Sequence, residues 1–410
     1  MNSKYDVRNL QRTILTISVC HLLIEVFYFT QAALIPVMIQ EFNLNLLDAS
    51  LVVSVPSLVA LLAYFPSGLL ADVLSPNQLL FASMTIEGSS ILIASQARSY
   101  WLLVAALCFT CIARPVYHAS GVTQISRIAK SDELNMAMGI HNALGDLGTA
   151  AGVSSLAFFL TFLSWRWAYA LWAIPVLGWG IIVLRSSKLR MPRSTEPRHS
   201  TKHSNIIRSI LVFSFVTFLV FVAIRELGST SVSAFVTTFL VVRLKMSAAT
   251  ASLVFGLGAF VGIVGDLAGG YLGKWLSAKI ALVFCMLCCI AMLVALGFVS
   301  GISLFIIVYL AYAFFDFAVW SPMNTLVAEI TPDKTRGLSY STYFFVHTLM
   351  FSLAPMLAAG FIQLYGIAII FPLGVVLLAA ALAMLTALRG RSLVNSGTPK
   401  ISAPMSQPKG

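Results

Sequence analysis

The sequence predicts an all-α polytopic membrane protein with twelve transmembrane helices in two six-helix halves. Of its 410 residues, 59% are hydrophobic and only 10% are charged, whereas a soluble globular protein carries about 25% charged residues. The apolar residues form runs of about the 20 residues that a helix needs to cross a bilayer. The runs lack the alternating polarity of membrane β-strands, and one long polar stretch divides them into two sets of six.

The elements follow from the apolar runs and the residues that break them. The predicted halves are 1–185 and 208–388, joined by a basic linker over 186–207 and followed by a disordered tail over 389–410 that is rich in Ser, Pro and Lys. The twelve predicted spans cover residues 13–38, 49–72, 79–97, 100–126, 135–160, 165–185, 208–239, 247–273, 278–298, 301–328, 337–361 and 365–388.

The net charge of +11 indicates membrane topology rather than nucleic-acid binding, because the basic residues lie mainly between apolar runs. Of the 26 lysines and arginines, twenty fall on the side of the two termini, four fall on the other side and two lie within spans. Positive residues concentrate on the cytoplasmic side. The pattern therefore predicts a multi-pass protein of the plasma (cytoplasmic) membrane with both termini cytoplasmic and a linker that contacts anionic lipids.

The six cysteines all fall inside apolar runs, and we interpret them as small buried hydrophobic residues. Cys108 and Cys111 have C-x-x-C spacing, but no second pair lies in a loop. The chain also lacks a phosphate-binding loop, an H-E-x-x-H motif and a G-x-S-x-G motif. We therefore expect no metal, no cofactor and no enzymatic activity.

Two motifs carry a resemblance to a known family. The second span ends in Gly68-Leu-Leu-Ala-Asp72, and a Pro-x-x-x-Arg336-Gly turn lies between spans ten and eleven. In both motifs the chain resembles the major facilitator superfamily. The resemblance implies the major facilitator fold, secondary transport by alternating access, and gating roles for Gly68, Asp72 and Arg336. We add Asp266 to the gating group, because it lies near the cytoplasmic end of span eight.

Spans four and five carry a more specific resemblance. Residues 114–121 read Arg-Pro-Val-Tyr-His-Ala-Ser-Gly, residues 137–141 read Ala-Met-Gly-Ile-His, and a glycine-rich segment follows over 145–152. These segments resemble the fosmidomycin-resistance branch of the superfamily, although Ala119 replaces a usual proline and Asp146 a usual small or neutral residue. The resemblance implies proton-driven export of a small, polar, anionic compound.

Ionisable residues within the spans indicate the mechanism. A charge at the bilayer centre costs at least about 2.5–3.5 kcal/mol, so it usually faces a cavity and has a partner. Only Arg114 and Arg225 are available to neutralise six acids, so some acids must be protonated, hydrated or bonded to histidine. The six acids are Glu25, Glu87, Asp146, Glu226, Asp266 and Asp316. We predict proton-coupling roles for His21, Glu25, Asp146 and Asp316, and a structural role for Glu87.

Helical spacing brings pairs of these residues together. His21 and Glu25 are four residues apart on span one, and Arg114 and His118 are four apart on span four, with Tyr117 nearby. The superfamily resemblance implies that spans one and four line a central cavity. We predict that Glu25 and Arg114 face this cavity; the alternative is a fixed structural ion pair.

On span seven, Arg225 and Glu226 are adjacent, so they point about 100° apart and should need different partners. We expect Arg225 to meet Asp316 of span ten. Arginine matches carboxylate and phosphonate groups. Aromatic residues such as Trp320 either shape an apolar wall of the cavity or face lipid. The predicted substrate-binding residues are Arg114, Tyr117, His118, Arg225 and Trp320.

Three functions are compatible with these observations. The leading prediction is a proton-coupled exporter, an antiporter of efflux or drug-resistance type, for a small anionic or zwitterionic compound. The alternatives are a proton-coupled importer of a small organic anion and a non-transporting membrane scaffold or sensor. The expected partners are a small-molecule substrate, protons and membrane lipids, with no nucleic acid, and we expect a monomer.

Overall fold

The computed structural model describes residues 7–128, 131–186, 213–331 and 336–387, and within these ranges it contains helices but no strand. A short 3-10 turn at Ile367–Ile369 precedes the last helix. The α-helices are α1 (Val7–Glu25), α2 (Thr30–Phe42), α3 (Leu46–Val73), α4 (Pro76–Ser95), α5 (Tyr100–Ile128), α6 (Ser131–Phe162), α7 (Trp165–Arg185), α8 (Phe213–Val242), α9 (Ala248–Leu276), α10 (Ala278–Phe298), α11 (Ile302–Ala318), α12 (Trp320–Ile330), α13 (Arg336–Tyr365) and α14 (Ile370–Ala387).

Twelve described segments are long and apolar enough to cross a membrane, which confirms the predicted all-α fold. Two of the spans are interrupted. Four residues separate α1 from α2 within Leu10–Phe42, whereas only Val319, whose φ of −68° and ψ of −31° remain helical, separates α11 from α12 within Ile302–Ile330. Each predicted span corresponds to one observed span, with ends that differ by a few residues.

Polar caps determine several of these ends. The Asn45 side chain accepts a hydrogen bond of 2.8 Å from the backbone nitrogen of Asp48 at the start of α3. Ser75 and Gln78 form a capping box at the start of α4, and Ser247 caps α9. Such side chains satisfy backbone N–H groups that have no partner within the helix.

Glycines allow α6 to lie directly against α1. A Cβ atom added to Gly148 would overlap the carbonyl oxygen of Leu22, and one added to Gly152 would overlap that of Val26. Small residues permit such close approach of helix backbones within membranes. The two glycines therefore fix α6 beside the end of α1.

Within the described residues, the two halves meet along four pairs of helices: α6 with α9, α3 with α13, α2 with α9, and α2 with α8. Across the last of these, the Thr237 hydroxyl donates a hydrogen bond of 3.2 Å to the carbonyl oxygen of Ala32. The rings of Phe29 and Phe255 also meet, with centroids 5.7 Å apart. The break between α1 and α2 therefore lies beside the other half.

Some predicted features lie outside the described residues. These are the linker 186–207, apart from Ser186, the tail 389–410, and most of the turn before Arg336. Gly68 and Asp72 lie within α3 and Arg336 begins α13, but their side chains are also outside the described part.

Candidate functional site

The first cluster of charged residues surrounds Glu25, the last residue of α1. Arg114 of α5 donates to both oxygens of its carboxylate, with Nε 2.9 Å from Oε1 and Nη2 2.7 Å from Oε2. A two-point pair of this kind is strong and fixes orientation. Glu25 is buried, whereas the Arg114 side chain remains partly exposed. The pair predicted from the sequence as cavity-facing or structural is therefore formed, with one face of the guanidinium accessible.

Two histidines approach the same carboxylate. Nε2 of His21 lies 3.3 Å from Oε1 of Glu25, and Nε2 of His118 lies 3.6 Å from it. Nδ1 of His21 lies 2.9 Å from the carbonyl oxygen of His141, and the two imidazole rings are stacked with centroids 4.1 Å apart. Gly145 leaves the space that the His21 ring fills.

This geometry places two proton-binding groups, the His21 imidazole and the Glu25 carboxylate, in contact. The carbonyl oxygen of His141 can only accept a hydrogen bond, so Nδ1 of His21 carries a hydrogen. Nε2 then faces a carboxylate that, when ionised, also only accepts. The contact is favourable only if a further proton resides on Nε2 or on the carboxyl group.

Ligand atoms of His21, Glu25 and His118 lie within 4.8 Å of one another, a spacing compatible with a metal ion. Arg114, however, donates to both oxygens of Glu25. A fixed positive charge at this distance opposes a bound cation. The arrangement suits an ion pair with a proton site better than a metal site.

Two tyrosines complete the first cluster. The ring of Tyr28, in the break between α1 and α2, lies 3.9 Å from the guanidinium carbon of Arg114. Such a cation–π contact holds the guanidinium in place. The Tyr117 hydroxyl donates a hydrogen bond of 3.0 Å to the carbonyl oxygen of Ile17, and its side chain is fully buried. Tyr117 therefore fixes α5 against α1.

The second cluster surrounds Arg225 of α8. Its Nη2 donates to Oδ1 of Asp316 at 2.7 Å and to the carbonyl oxygen of the same residue at 3.0 Å, which confirms the contact predicted from the sequence. Ser229 donates to both oxygens of this carboxylate, at 2.8 and 2.7 Å. Arg225 lies over the ring of Trp320, 5.3 Å from its centroid.

The expectation that Arg225 and Glu226 need different partners is wrong in part. Nη1 of Arg225 lies 3.1 Å from Oε2 of Glu226, because these long side chains bend toward each other despite leaving the helix in different directions. Each also has a partner of its own. Glu226 accepts a hydrogen bond of 2.6 Å from Thr230 and lies 3.1 Å from Nε2 of His347.

A row of rings connects the clusters across the two halves, and we call it the aromatic bridge: Tyr28, Phe351 and His347. Tyr28 stacks on Phe351 of α13 with centroids 5.2 Å apart. Phe351 stacks on His347 with centroids 6.4 Å apart. The edge of His347 also meets Trp320, at 4.8 Å. The aromatic bridge therefore links the two clusters across the contact between the halves.

Each cluster contains an acid and an aromatic residue from one span and an arginine from another. Along the chain the acid precedes the arginine in the first half and follows it in the second half. In the first half, the interrupted span α1–α2 carries the acid Glu25 and the aromatic Tyr28, and the arginine comes from α5. In the second half, the interrupted span α11–α12 carries Asp316 and Trp320, and the arginine comes from α8.

The remaining predicted acids lie apart from both clusters. Asp146 of α6 and Asp266 of α9 are partly buried. Among the described residues, Oδ1 of Asp266 and Oε1 of Glu87 have no hydrogen-bond partner. The roles predicted for Asp146 and Asp266 in proton coupling and gating therefore stay predictions.

Sequence reasoning did not assign site roles to several residues of the clusters. Ser229 and Thr230 lie four residues after Arg225 and Glu226, so helical spacing was a signal for them. Phe351 similarly follows His347 by four residues. No local pattern indicates that Tyr28 reaches Phe351 of the other half.

Comparisons with known proteins agree with this architecture. A family model of the Major Facilitator Superfamily matches residues 17–355. A probable nitrate transporter, NarT of Staphylococcus carnosus, is 25% identical over 166 residues, which are 40% of this chain and 42% of that protein. The chain thus matches less than half the length of this relative. The fosmidomycin-resistance branch stays a prediction.

Two solved structures share the fold. A bacterial homologue of the human lysosomal transporter Spinster, in an inward-facing and occupied conformation, has a TM-score of 0.79 at 14% identity over 92% of this chain and 96% of that chain. The nucleoside transporter NupG has a TM-score of 0.78 at 11% identity over 92% and 99%. With the family model covering most of its length, this chain is a membrane transporter, not an enzyme, and belongs to the Major Facilitator Superfamily.

Proposed function

We propose that this transporter moves a small compound with an anionic group together with protons, by alternating access across the cytoplasmic membrane. The observation that carries the proposal is the partly exposed Arg114, paired with a buried Glu25 that also contacts the imidazole of His21. We further propose that the chain works as a monomer with both termini cytoplasmic, in line with its charge distribution.

Coupling follows from competition for Arg114. An incoming anion and the Glu25 carboxylate bind the same guanidinium. When the proton shared with His21 resides on Glu25, the carboxyl group loses its charge and Arg114 is available to the anion. Anion and proton therefore favour each other's binding, and this linkage is reciprocal.

Positive coupling of this kind favours cotransport and, with an inward proton gradient, uptake. Export by antiport instead requires that proton and substrate exclude each other. The geometry therefore supports the importer, one of the alternatives from the sequence, over the exporter implied by the branch resemblance. A non-transporting scaffold would not need an accessible arginine beside a shared proton.

The test uses the full chain in proteoliposomes that contain a pH-sensitive dye, with nitrate, propionate and propylphosphonate as probes. We expect at least one probe to acidify the lumen in wild type. Arg114→Ala should abolish uptake of the probe, and Glu25→Gln should permit exchange of the probe without proton movement. The control is Arg166→Ala, because Arg166 forms a similar partly exposed pair with Glu41 outside the site.

Anion uptake without protons in wild type would contradict the coupling, and normal uptake by Arg114→Ala would contradict the anion site. Direction is tested with fosmidomycin in a host that expresses the chain, the Arg114→Ala variant or an empty vector, with membrane expression verified. Import predicts greater sensitivity than with the empty vector, and export predicts resistance. Either effect should be lost in the variant.

A further inference from the structure

We propose that the transported compound is a short zwitterion, whose anionic group binds Arg114 of the first half and whose cationic group binds Asp316 of the second half. This inference rests on the proposed function and specifies the class of its substrate. It follows from the opposite charges that the two clusters present to the space between the halves.

The exposed member of each ion pair has the opposite sign in the two halves. In the first cluster, the Arg114 side chain is 31% exposed and Glu25 only 5%. In the second cluster, Asp316 is 14% exposed and Arg225 only 2%. The first half therefore presents a cation to an incoming compound, and the second half presents an anion.

The balance of charges in each cluster supports the same polarity. The first cluster has one acid and one arginine, so it is neutral without a proton shared by His21 and Glu25 and positive with it. The second has two acids, Glu226 and Asp316, for the single Arg225, and His347 adjoins Glu226. With His347 neutral this cluster is negative, and with His347 protonated it is neutral.

Asp316 retains capacity for a cationic partner. Its Oδ1 accepts from Arg225 and Ser229, whereas within the described part of the chain Ser229 is the hydrogen-bond donor to Oδ2. Each carboxylate oxygen has two acceptor positions. An ammonium group at Oδ2 would also lie near Trp320, whose ring attracts cations. By contrast, a simple anion such as nitrate would engage only Arg114.

The aromatic bridge lies between the two charged groups. Tyr28 contacts Arg114 and stacks on Phe351, while His347 contacts both Phe351 and Trp320. A compound that joins both clusters must therefore pass a short apolar chain along these rings. Unbranched amino carboxylates and amino phosphonates fit this description.

The experiment measures binding to the purified full chain by thermal stabilisation, with matched probes on two skeletons. The zwitterions are 4-aminobutyrate and 3-aminopropylphosphonate, the anions are butyrate and propylphosphonate, and the cation is butylamine. We expect a zwitterion to bind wild type at least ~10-fold more tightly than its matched anion. Asp316→Asn should reduce the affinity for the zwitterion to that for the anion and leave the affinity for the anion unchanged. Arg114→Ala should abolish binding of both compounds.

Asn keeps an oxygen that can accept hydrogen bonds from Arg225 and Ser229. Glu41→Gln serves as the control for loss of an acid elsewhere, because Glu41 pairs with Arg166 outside both clusters. Equal affinities for zwitterion and anion, with no effect of Asp316→Asn, would overturn the inference and leave the proposed function intact. Binding of nitrate alone would do the same. If no anion and no zwitterion binds, both the inference and the proposed function fail.

Discussion

Tyr28 of the first half stacks on Phe351 of the second half, with ring centroids 5.2 Å apart and ring planes 13° apart. Tyr28 also covers the guanidinium of Arg114 at 3.9 Å. One ring therefore participates in the first cluster and in the contact between halves. Any movement that separates the halves at this point must change the surroundings of Arg114.

We predict that Phe351→Leu slows or accelerates transport turnover at least several-fold with a smaller change in substrate affinity. Aromatic pairs contribute about 0.5–1.5 kcal/mol beyond their buried area, and loss of this one shifts the balance between conformations. Turnover and affinity are measured in proteoliposomes. Phe345→Leu is the control, because Phe345 lies on the same helix with its ring exposed. Equal effects of the two substitutions would contradict the prediction.

We predict that Arg114→Ala destabilises the fold by about 3 kcal/mol, because removal of one partner strands a buried carboxylate. Adding Glu25→Gln should restore part of this loss, which a double-mutant cycle on the free energy of unfolding would measure. The same cycle on Arg166 and Glu41, a partly exposed pair, should give about 0–1 kcal/mol. Simple additivity at Arg114 and Glu25 would show that they are not coupled.

Under the proposed coupling, in which the anion binds when Glu25 is protonated, transport by wild type should decrease as the pH rises. His21→Gln removes one of the two proton carriers and should flatten the pH profile of uptake. Glu41→Gln, which alters an acid outside the site, should leave the profile unchanged. A wild-type rate that increases with pH would exclude this direction of coupling.

The contact of α6 with α1 gives a prediction about stability. Gly148→Ala should lower the free energy of unfolding by about 1–3 kcal/mol, because its Cβ would overlap the carbonyl oxygen of Leu22. Gly139→Ala, on the same helix, meets nothing within 4 Å and should be neutral or stabilising by up to about 1 kcal/mol. Equal stability of the two variants, by thermal unfolding in detergent, would contradict the close contact.

The fold could be predicted from the sequence because each membrane span is recognisable on its own: each apolar run is long enough to cross the bilayer. Contacts within one helix, such as His21 with Glu25, could also be predicted, because helical spacing is sufficient for them. The Arg225–Asp316 pair was predicted because a charge within the membrane needs a partner and only two arginines were available to six acids.

The remaining contacts depend on how the helices rotate about their axes and pack, which spacing does not encode. The stacking of Tyr28 on Phe351 joins residues of different halves. The contact of Arg225 with Glu226 depends on side-chain rotamers rather than on the directions in which the residues leave the helix. The interruptions after Glu25 and Ala318 also lie within runs that are continuous by composition.

The reversed order of acid and arginine along the chain has a consequence for the path of the substrate. The interrupted span of the first half is the first of twelve and that of the second half is the tenth, so the chain crosses the membrane in opposite senses through them. Tyr28 therefore lies beyond its acid toward one face of the membrane, and Trp320 lies beyond its acid toward the other. A compound that enters from either face passes the aromatic ring before the carboxylate in one half of the protein. In the other half it passes the carboxylate before the ring. The two faces of the membrane thus meet the same pair of groups in inverted order, one order in each half.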